Sequence, residues 1–249
     1  VDKSKILISI ICVLAGFIAG FLLANSLNRK EVEELRSEIS TLKNSPAQTQ
    51  NKNAENQVEL SQDEIRGAIA NADANPTDLE KQRKLGIYLY QYTTSLRDPS
   101  YLPDIVRLLK RAVAGDGKDY ELIVTLGNAL FDLSQSKEDT VLLREARGWY
   151  LKAITIKTDD PNVRTDYGLT FFLDNPSEPE KAIAEYKKSL AVDPKHELTL
   201  QNLARALIKT KSYDEAQKRI EELRAVNASN RDLPNLEAML AQAKVKEQN

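Results

Sequence analysis

Apolar and polar positions alternate along most of this chain in a frame that repeats. Gly86, Gly127, Gly168 and Ala204 each follow a bulky residue, Leu85, Leu126, Tyr167 and Leu203. Each precedes, by three residues, Leu89, Leu130, Phe171 and Leu207. Every frame then runs into a second apolar cluster: Ile105/Leu109/Ala112, Ala146/Tyr150/Ala153, Ala182/Tyr186/Ser189 and Ala216/Ile220/Leu223. Spacings of four and then three mark an amphipathic helix. The pattern predicts an all-α fold in which one unit, a helix pair, occurs four times. A glycine inside a helix costs about 1 kcal/mol against alanine, so glycines at one fixed place in three units predict a close approach of the paired helix.

Local signals punctuate the frame. Ser61…Glu64, Thr77…Glu80, Ser177…Glu180 and Ser212…Glu215 have capping-box spacing, in which side chain and backbone satisfy each other at a helix start. Asp160-Pro161 and Asp193-Pro194 separate repeats, with Pro161 suited to a first helical position. Residues 61–78 are read as a leading element with an incomplete helix over 61–74. Residues 231–249, through Leu233, Leu236, Leu240 and Ala243, are read as a capping helix and tail. A solenoid needs such a cap because its last repeat would otherwise expose an apolar face. The four units fall at 79–119, 120–160, 161–196 and 197–230.

The N-terminus carries a different pattern. From Ile6 to Asn28 no residue is charged, and 22 residues rise about 33 Å as a helix, enough to cross a hydrocarbon core. Residues 6–27 are therefore expected to form an uncleaved transmembrane helix in the lipid bilayer, after a flank at 1–5; a signal peptide has a shorter apolar core. Lys3 and Lys5 before the span nearly balance Arg29 and Lys30 after it, which leaves its orientation open.

A parallel homodimer is the expected state of this anchor. Gly16 and Gly20 have the spacing that lets two membrane helices touch, in a row with Cys12 and Ala24. Over 28–43, Val32, Leu35, Ile39 and Leu42 follow the 3-4-3 spacing of a short coiled coil, with Glu31–Arg36 and Glu38–Lys43 attractive between chains. Pairing with another membrane protein competes with this reading. Residues 44–60, rich in Asn, Gln, Ser and Ala, read as a flexible linker.

The frame resembles the tetratricopeptide repeat, a 34-residue helix–turn–helix. The fourth unit fits it best through Leu200, Leu203, Ala204, Leu207, Tyr213, Ala216, Ile220 and Leu223, and the third supplies Tyr167, Gly168, Phe171, Ala182, Tyr186 and Pro194. The resemblance covers roughly 79–230 and lacks the family's first Trp. The family separates small residue and second helix by 12 positions, against 19, 19, 14 and 12 here, so the first two units carry insertions. Arg97–Ser100 and Ser134–Lys137 read as the loops that hold them.

The resemblance implies a concave groove lined by the first helix of each pair. Carried over residue by residue, its positions are Glu80, Arg83, Ile87 and Tyr90, then Glu121, Val124, Asn128 and Phe131. The third unit gives Asn162, Thr165, Leu169 and Phe172, and the fourth Leu198, Gln201, Arg205 and Ile208. Ile87 stands where family members that clamp a C-terminal carboxylate need Asn. The expected peptide-binding strip is thus Ile87, Tyr90, Phe131, Leu169, Phe172 and Ile208, flanked by Arg83, Asn128 and Arg205, and it suits an amphipathic helix or apolar peptide.

Composition adds mainly exclusions. Net charge is −2 with acidic and basic residues interspersed, which speaks against nucleic acid as a partner. Cys12 is the only cysteine, so no disulfide forms within one chain. His196, the only histidine, reads as a solvated turn residue, and Gly115-Asp116-Gly117 as a turn rather than a phosphate cradle. No catalytic constellation, metal site or cofactor site is read, and an enzyme is not expected. The anchor, linker and repeats together resemble the tetratricopeptide subunits of bacterial cytochrome c maturation. That implies a single-pass protein of the bacterial inner membrane whose soluble domain is extracytoplasmic and binds a protein or peptide client. An accessory subunit of the secretion translocon and a dimeric tether working through the coiled coil stand as alternatives.

Overall fold

The computed structural model describes residues 61–248. The expected transmembrane helix, coiled coil and linker, with Gly16, Gly20, Val32, Leu35, Ile39 and Leu42, lie outside the described residues. Among the described residues, no helix is long and apolar enough to cross a membrane. The chain divides into two compact units between Asn71 and Ala72. The described part of the first is residues 61–71. There Ser61 and Glu64 form the capping box: the Ser61 amide donates to Oε2 of Glu64 at 2.9 Å, and the Glu64 amide to Oγ of Ser61 at 3.3 Å. They open helix α1, Gln62–Ala74.

The second unit is a stack of helices in which no described residue is a strand. Its helices are α2 (Leu79–Leu96), α3 (Leu102–Gly115), α4 (Tyr120–Lys137), α5 (Thr140–Ile156), α6 (Pro161–Leu173), α7 (Pro179–Val192), α8 (Glu197–Lys209), α9 (Tyr213–Val226) and α10 (Leu233–Gln248). The pairs are α2/α3, α4/α5, α6/α7 and α8/α9, each second helix also packing on the next first helix. First helices touch their successors at α2/α4, α6/α8 and α8/α10, whereas successive second helices scarcely meet. The stack therefore curves with α2, α4, α6 and α8 on its inner side.

The small residue works as its pattern implies. A Cβ on Gly86 would stand 2.7 Å from Leu109 Cδ2, one on Gly127 2.9 Å from Tyr150 Cε1, and one on Gly168 2.8 Å from Tyr186 Cε1. Tyr150 and Tyr186 are the largest fully buried side chains, each with one ring edge against the glycine of its own pair. At the end of the stack Leu233, Leu236 and Leu240 are buried in one cluster with Leu203, Leu207, Ile220 and Leu223. Removing such a face from water is worth about 25 cal/mol per Å², which is why α10 closes the core.

Several local expectations fail, each for a visible reason. Ser134–Lys137 is not a loop. α2 and α4 each run for 18 residues against 13 in α6 and α8, so the insertions are absorbed largely as extra turns of the first helices. Both long helices end on a left-handed residue, Arg97 (φ 54) and Glu138 (φ 52), after which Asp98 and Asp139 cap the next helical segment. Of the four capping boxes only Ser61/Glu64 forms. Asp78 replaces Thr77 as the cap of α2, Glu178 replaces Ser177 at α7, and Ser212 makes no side-chain cap bond. Aspartates at Asp119, Asp139 and Asp160 supply the strong caps, accepting from backbone amides two or three residues on.

His196 is not a freely solvated turn residue either. It is the residue before α8; its Nδ1 lies 2.6 Å from Thr199 Oγ1 and its Nε2 3.0 Å from Asn162 Oδ1. Beneath it Thr165 Oγ1 lies 3.0 Å from Ser189 Oγ and 2.5 Å from Thr199 Oγ1, with all three residues fully buried. This polar joint fastens α6, α7 and α8 without an orphaned hydroxyl.

Candidate peptide-binding groove

The inner helices divide the expected groove residues into two groups. One group is consumed in joining repeats. Arg83 donates from Nε to Asp119 Oδ2 at 2.6 Å and from Nη2 to Glu121 Oε2 at 2.7 Å, tying α2 to the start of α4. Burial would lower its pKa, but the hydrogen bonds to Asp119 and Glu121 outweigh that and hold the guanidinium charged. Arg205 spans Asp232, at 2.9 Å, and Asn202 Oδ1, at 3.1 Å. Gln201 donates to Asn230 at 2.8 Å, and Thr165 lies inside the buried hydroxyl joint. Ile87 and Ile208 are each only 8 % exposed, so the apolar strip loses both ends to the core.

The second group keeps an open side. Tyr90, Asn128, Phe131, Leu169 and Phe172 are half-buried, and Leu198 and Glu80 are exposed. Phe172 packs on the C-terminal core while Lys209 Nζ sits 4.9 Å from its ring centroid. Phe171, its neighbour, packs on the same core and is edge-on to Tyr167, with the Arg147 guanidinium 4.1 Å from its ring centroid.

Sequence reasoning missed the polar centre of this face. Asp132 on α4 accepts a hydrogen bond from the Tyr90 hydroxyl at 2.8 Å, and its carboxyl is raised by burial against the help of that bond. Asp166 on α6 is pushed up to about 7 by burial first and then by the charges of Asp132 and Asp160. Tyr90 and Tyr150 are raised too, by burial above all, with Asp132 and Asp166 adding to it. A signal for this centre existed. Asp166 stands two residues before the small residue of its frame and Asp132 five after it. Those places are seven apart, which puts them on one helix face.

The staples between helices were equally unread. Arg144 and Arg147 of α5 converge on Asp174, Arg107 and Arg111 of α3 on Asp73, and Arg164 of α6 reaches Glu185 of α7 at 2.9 Å. Nothing among the described residues gathers three or more His, Cys, Asp or Glu side chains as a metal would require.

Comparison with known proteins agrees with this architecture. Residues 177–243 match the family model of the tetratricopeptide repeat. No curated protein matches the chain. Among solved structures, the crystal structure of MamA is 23 % identical with a TM-score of 0.53, over 66 % of this chain and 87 % of that one. YrrB, a tetratricopeptide repeat protein with an unusual peptide-binding site, gives 12 % identity and a TM-score of 0.54 over 73 % and 82 %. A thermophilic tetratricopeptide repeat protein of Thermus thermophilus gives 18 % and 0.51 over 73 % and 89 %. The described helices thus have the fold of a tetratricopeptide-like solenoid, and over residues 177–243 the chain carries that family's own sequence pattern.

Proposed function

We propose that this chain is a scaffold that holds a segment of another protein on the inner side of its solenoid, and that residues 6–27 keep it at a membrane. The observation that carries the reading is the row of half-buried Tyr90, Phe131, Leu169 and Phe172 on successive inner helices, left with an open side after the core and the repeat joints have taken their share. Aromatic rings in a partly desolvated groove are what an apolar or amphipathic segment binds. YrrB, a tetratricopeptide repeat protein with an unusual peptide-binding site, supports peptide binding as a use of this fold.

The test is photo-crosslinking in cells from positions 131 and 172 of the full chain, with position 141 as a control. Val141 is 70 % exposed at the start of the outer helix α5. Specific capture of a protein from 131 and 172 and none from 141 is expected. Apocytochromes or haem-attachment proteins among the captured chains would assign the scaffold to cytochrome c maturation outside the cytoplasm; exported chains or translocon subunits would assign it to secretion. Equal capture from all three positions, or none, would overturn the groove reading.

A further inference from the structure

The outer helices differ in what they show to solvent. On α7 the exposed residues include Glu180, Lys181, Lys187 and Lys188, and on α9 Asp214, Lys218, Glu221 and Arg224. On α5 they are Val141, Arg144, Gly148, Leu151, Thr155 and Ile156. Arg144 is the one charge among them, and Asp174 already holds it at 2.9 Å. Val141, at 70 %, is the most exposed large hydrophobic side chain among the described residues, and Leu151 stands at 48 %. Their helical spacing puts Val141, Gly148, Leu151 and Thr155 on one face.

Gly148 is the middle of that face, between Val141 and Thr155. The glycines of the inner helices are explained by the side chains that stand over them: Leu109 over Gly86, Tyr150 over Gly127 and Tyr186 over Gly168. Over Gly148 there is nothing within 4 Å of an added Cβ. Glycine is a costly residue inside a helix, and no neighbour within the chain accounts for this one. On an outward apolar face it lets a second helix come close, because the side chains at the crossing set the distance between two helix axes.

The flanks of the stripe say which helix that is. Glu145 and Lys152 lie three before and four after Gly148, on the same side of the stripe. Glu145 gives Oε1 to Lys110 at 2.7 Å and keeps its second oxygen. Lys152 makes no ion pair among the described residues; its Nζ rests 5.0 Å from the Trp149 ring centroid. A two-fold axis that lays one α5 antiparallel on another at Gly148 brings Glu145 of each copy beside the partner's Lys152, so the pair forms twice. The same operation sets Val141 opposite Thr155 and Leu151 beside the stem of Arg144, with no like charges opposed.

We infer that α5 is a self-association face, on which two copies of this chain cross antiparallel at Gly148 with Val141 and Leu151 between them and Glu145 paired with Lys152 across the contact. This face is separate from the groove on the inner side. A handful of side chains is less than the roughly 1,200 Å² that a free-standing dimer buries. The contact therefore serves chains already held together, as the expected anchor over residues 6–27 would hold them.

The test is disulfide trapping in the full chain in detergent micelles. Cys12→Ser removes the one native thiol, and cysteine then replaces Val141, Thr155 or both. On one helix the two positions lie about 21 Å apart, too far for a disulfide within the chain. The antiparallel contact sets each position beside the other one of the second copy and about 21 Å from its own counterpart. Under mild oxidation the double variant should run mostly as a dimer, and each single variant should give about 10-fold less. Gly148→Gln places a good helix former where the chain leaves open space, and should cut the dimer about 10-fold without loss of fold, which a thermal melt checks. Glu145→Lys should cut it as well, and Lys152→Glu in the same chain should restore it. As much dimer from Val141→Cys alone, none from the double variant, or a dimer that Gly148→Gln leaves undiminished would overturn the contact and leave the groove reading standing. In the crosslinking from cells, position 141 keeps its use as the control for clients, since the one chain expected beside it is a second copy of this protein.

Discussion

Asp174, the residue that ends α6, accepts a hydrogen bond from Nη2 of Arg147, midway along α5, at 2.7 Å. Arg144 adds bonds of 3.1, 3.1 and 2.9 Å to the same carboxylate, and Arg147 also donates to the Thr170 carbonyl at 2.8 Å. The Asp174 side chain is 4 % exposed. This carboxylate fastens the second helix pair to the third, where α4 and α6 barely meet. Asp174→Asn leaves two arginines facing a neutral amide, a loss of about 3 kcal/mol and a fall in Tm of roughly 6–12 °C. Burial alone would raise the Asp174 carboxyl, but the arginine hydrogen bonds outweigh it and hold it at about 2. With the folded pKa below the unfolded value of about 4, the stabilisation is present above about pH 4 and disappears as the pH falls through about 2. The Tm gap between the variant and the unaltered protein should therefore close over that interval in a pH series.

The helical glycines separate by what stands over them. Gly127→Ala and Gly168→Ala push a methyl group into the edge of a fully buried tyrosine ring, which cannot swing aside as the end of a flexible chain would. Each should destabilise by about 1–3 kcal/mol, the usual effect of overpacking. Gly148 lies inside α5 with nothing within 4 Å of an added Cβ. Gly148→Ala should stabilise by about 0.5–1 kcal/mol, since only helix propensity and chain entropy act there. Opposite signs in parallel urea melts are the expected result.

The repeat frame was legible because it is a packing rule written in single residues: Gly86, Gly127 and Gly168 must be small, and Leu109, Tyr150 and Tyr186 must cover them. The helix starts were legible as a kind and less so as residues. Thr77, Ser177 and Ser212 match the capping pattern, while Asp78 and the aspartates before α4, α5 and α6 do the capping. Ser134–Lys137 misled because polar, small residues suit a loop and equally suit the last turn of a helix whose end is fixed elsewhere, by the left-handed Glu138. In the groove, a register carried over from a family marks which face a residue is on. It does not tell whether Arg83 or Arg205 has a partner waiting in the next repeat, because that partner lies far along the sequence, at Asp119 or Asp232. Asp166 and Tyr186 escaped for the same reason: the burial that raises the Asp166 carboxyl and the unpartnered Tyr186 hydroxyl belong to the packed structure.

Glu138 offers a further check on how the first two repeats were lengthened. It caps α4 at φ 52, ψ 37, a conformation that crowds an L side chain and that glycine adopts freely. The cap itself is a backbone bond, in which the Glu138 amide donates to the Ser134 carbonyl whatever the side chain. Glu138→Gly should therefore raise stability by about 0.5–1 kcal/mol, and Glu138→Val, β-branched at a positive φ, should lower it by at least as much. Chemical denaturation of the two variants against the unaltered protein gives the comparison.

Asp166 links stability to pH. Its carboxyl is raised to about 7 by burial and by the charges of Asp132 and Asp160, above the unfolded value of about 4. The groups that act on it or respond to it are Asp132 on α4, Asp160 at the start of α6, the phenols of Tyr90, Tyr150 and Tyr186, and, through Tyr186, Arg205. A carboxyl whose folded pKa is raised leaves folding unburdened below the unfolded pKa and opposes it increasingly as the pH rises through the folded one. Between about pH 4 and pH 8 the unaltered protein should therefore lose stability relative to Asp166→Asn, by an amount on the order of 2 kcal/mol once partial solvation is allowed for. The two proteins should melt together near about pH 4 and separate above about pH 6, with the variant higher. Equal melting temperatures across the whole range would mean that the Asp166 carboxylate is solvated or partnered in the folded protein and carries no such cost.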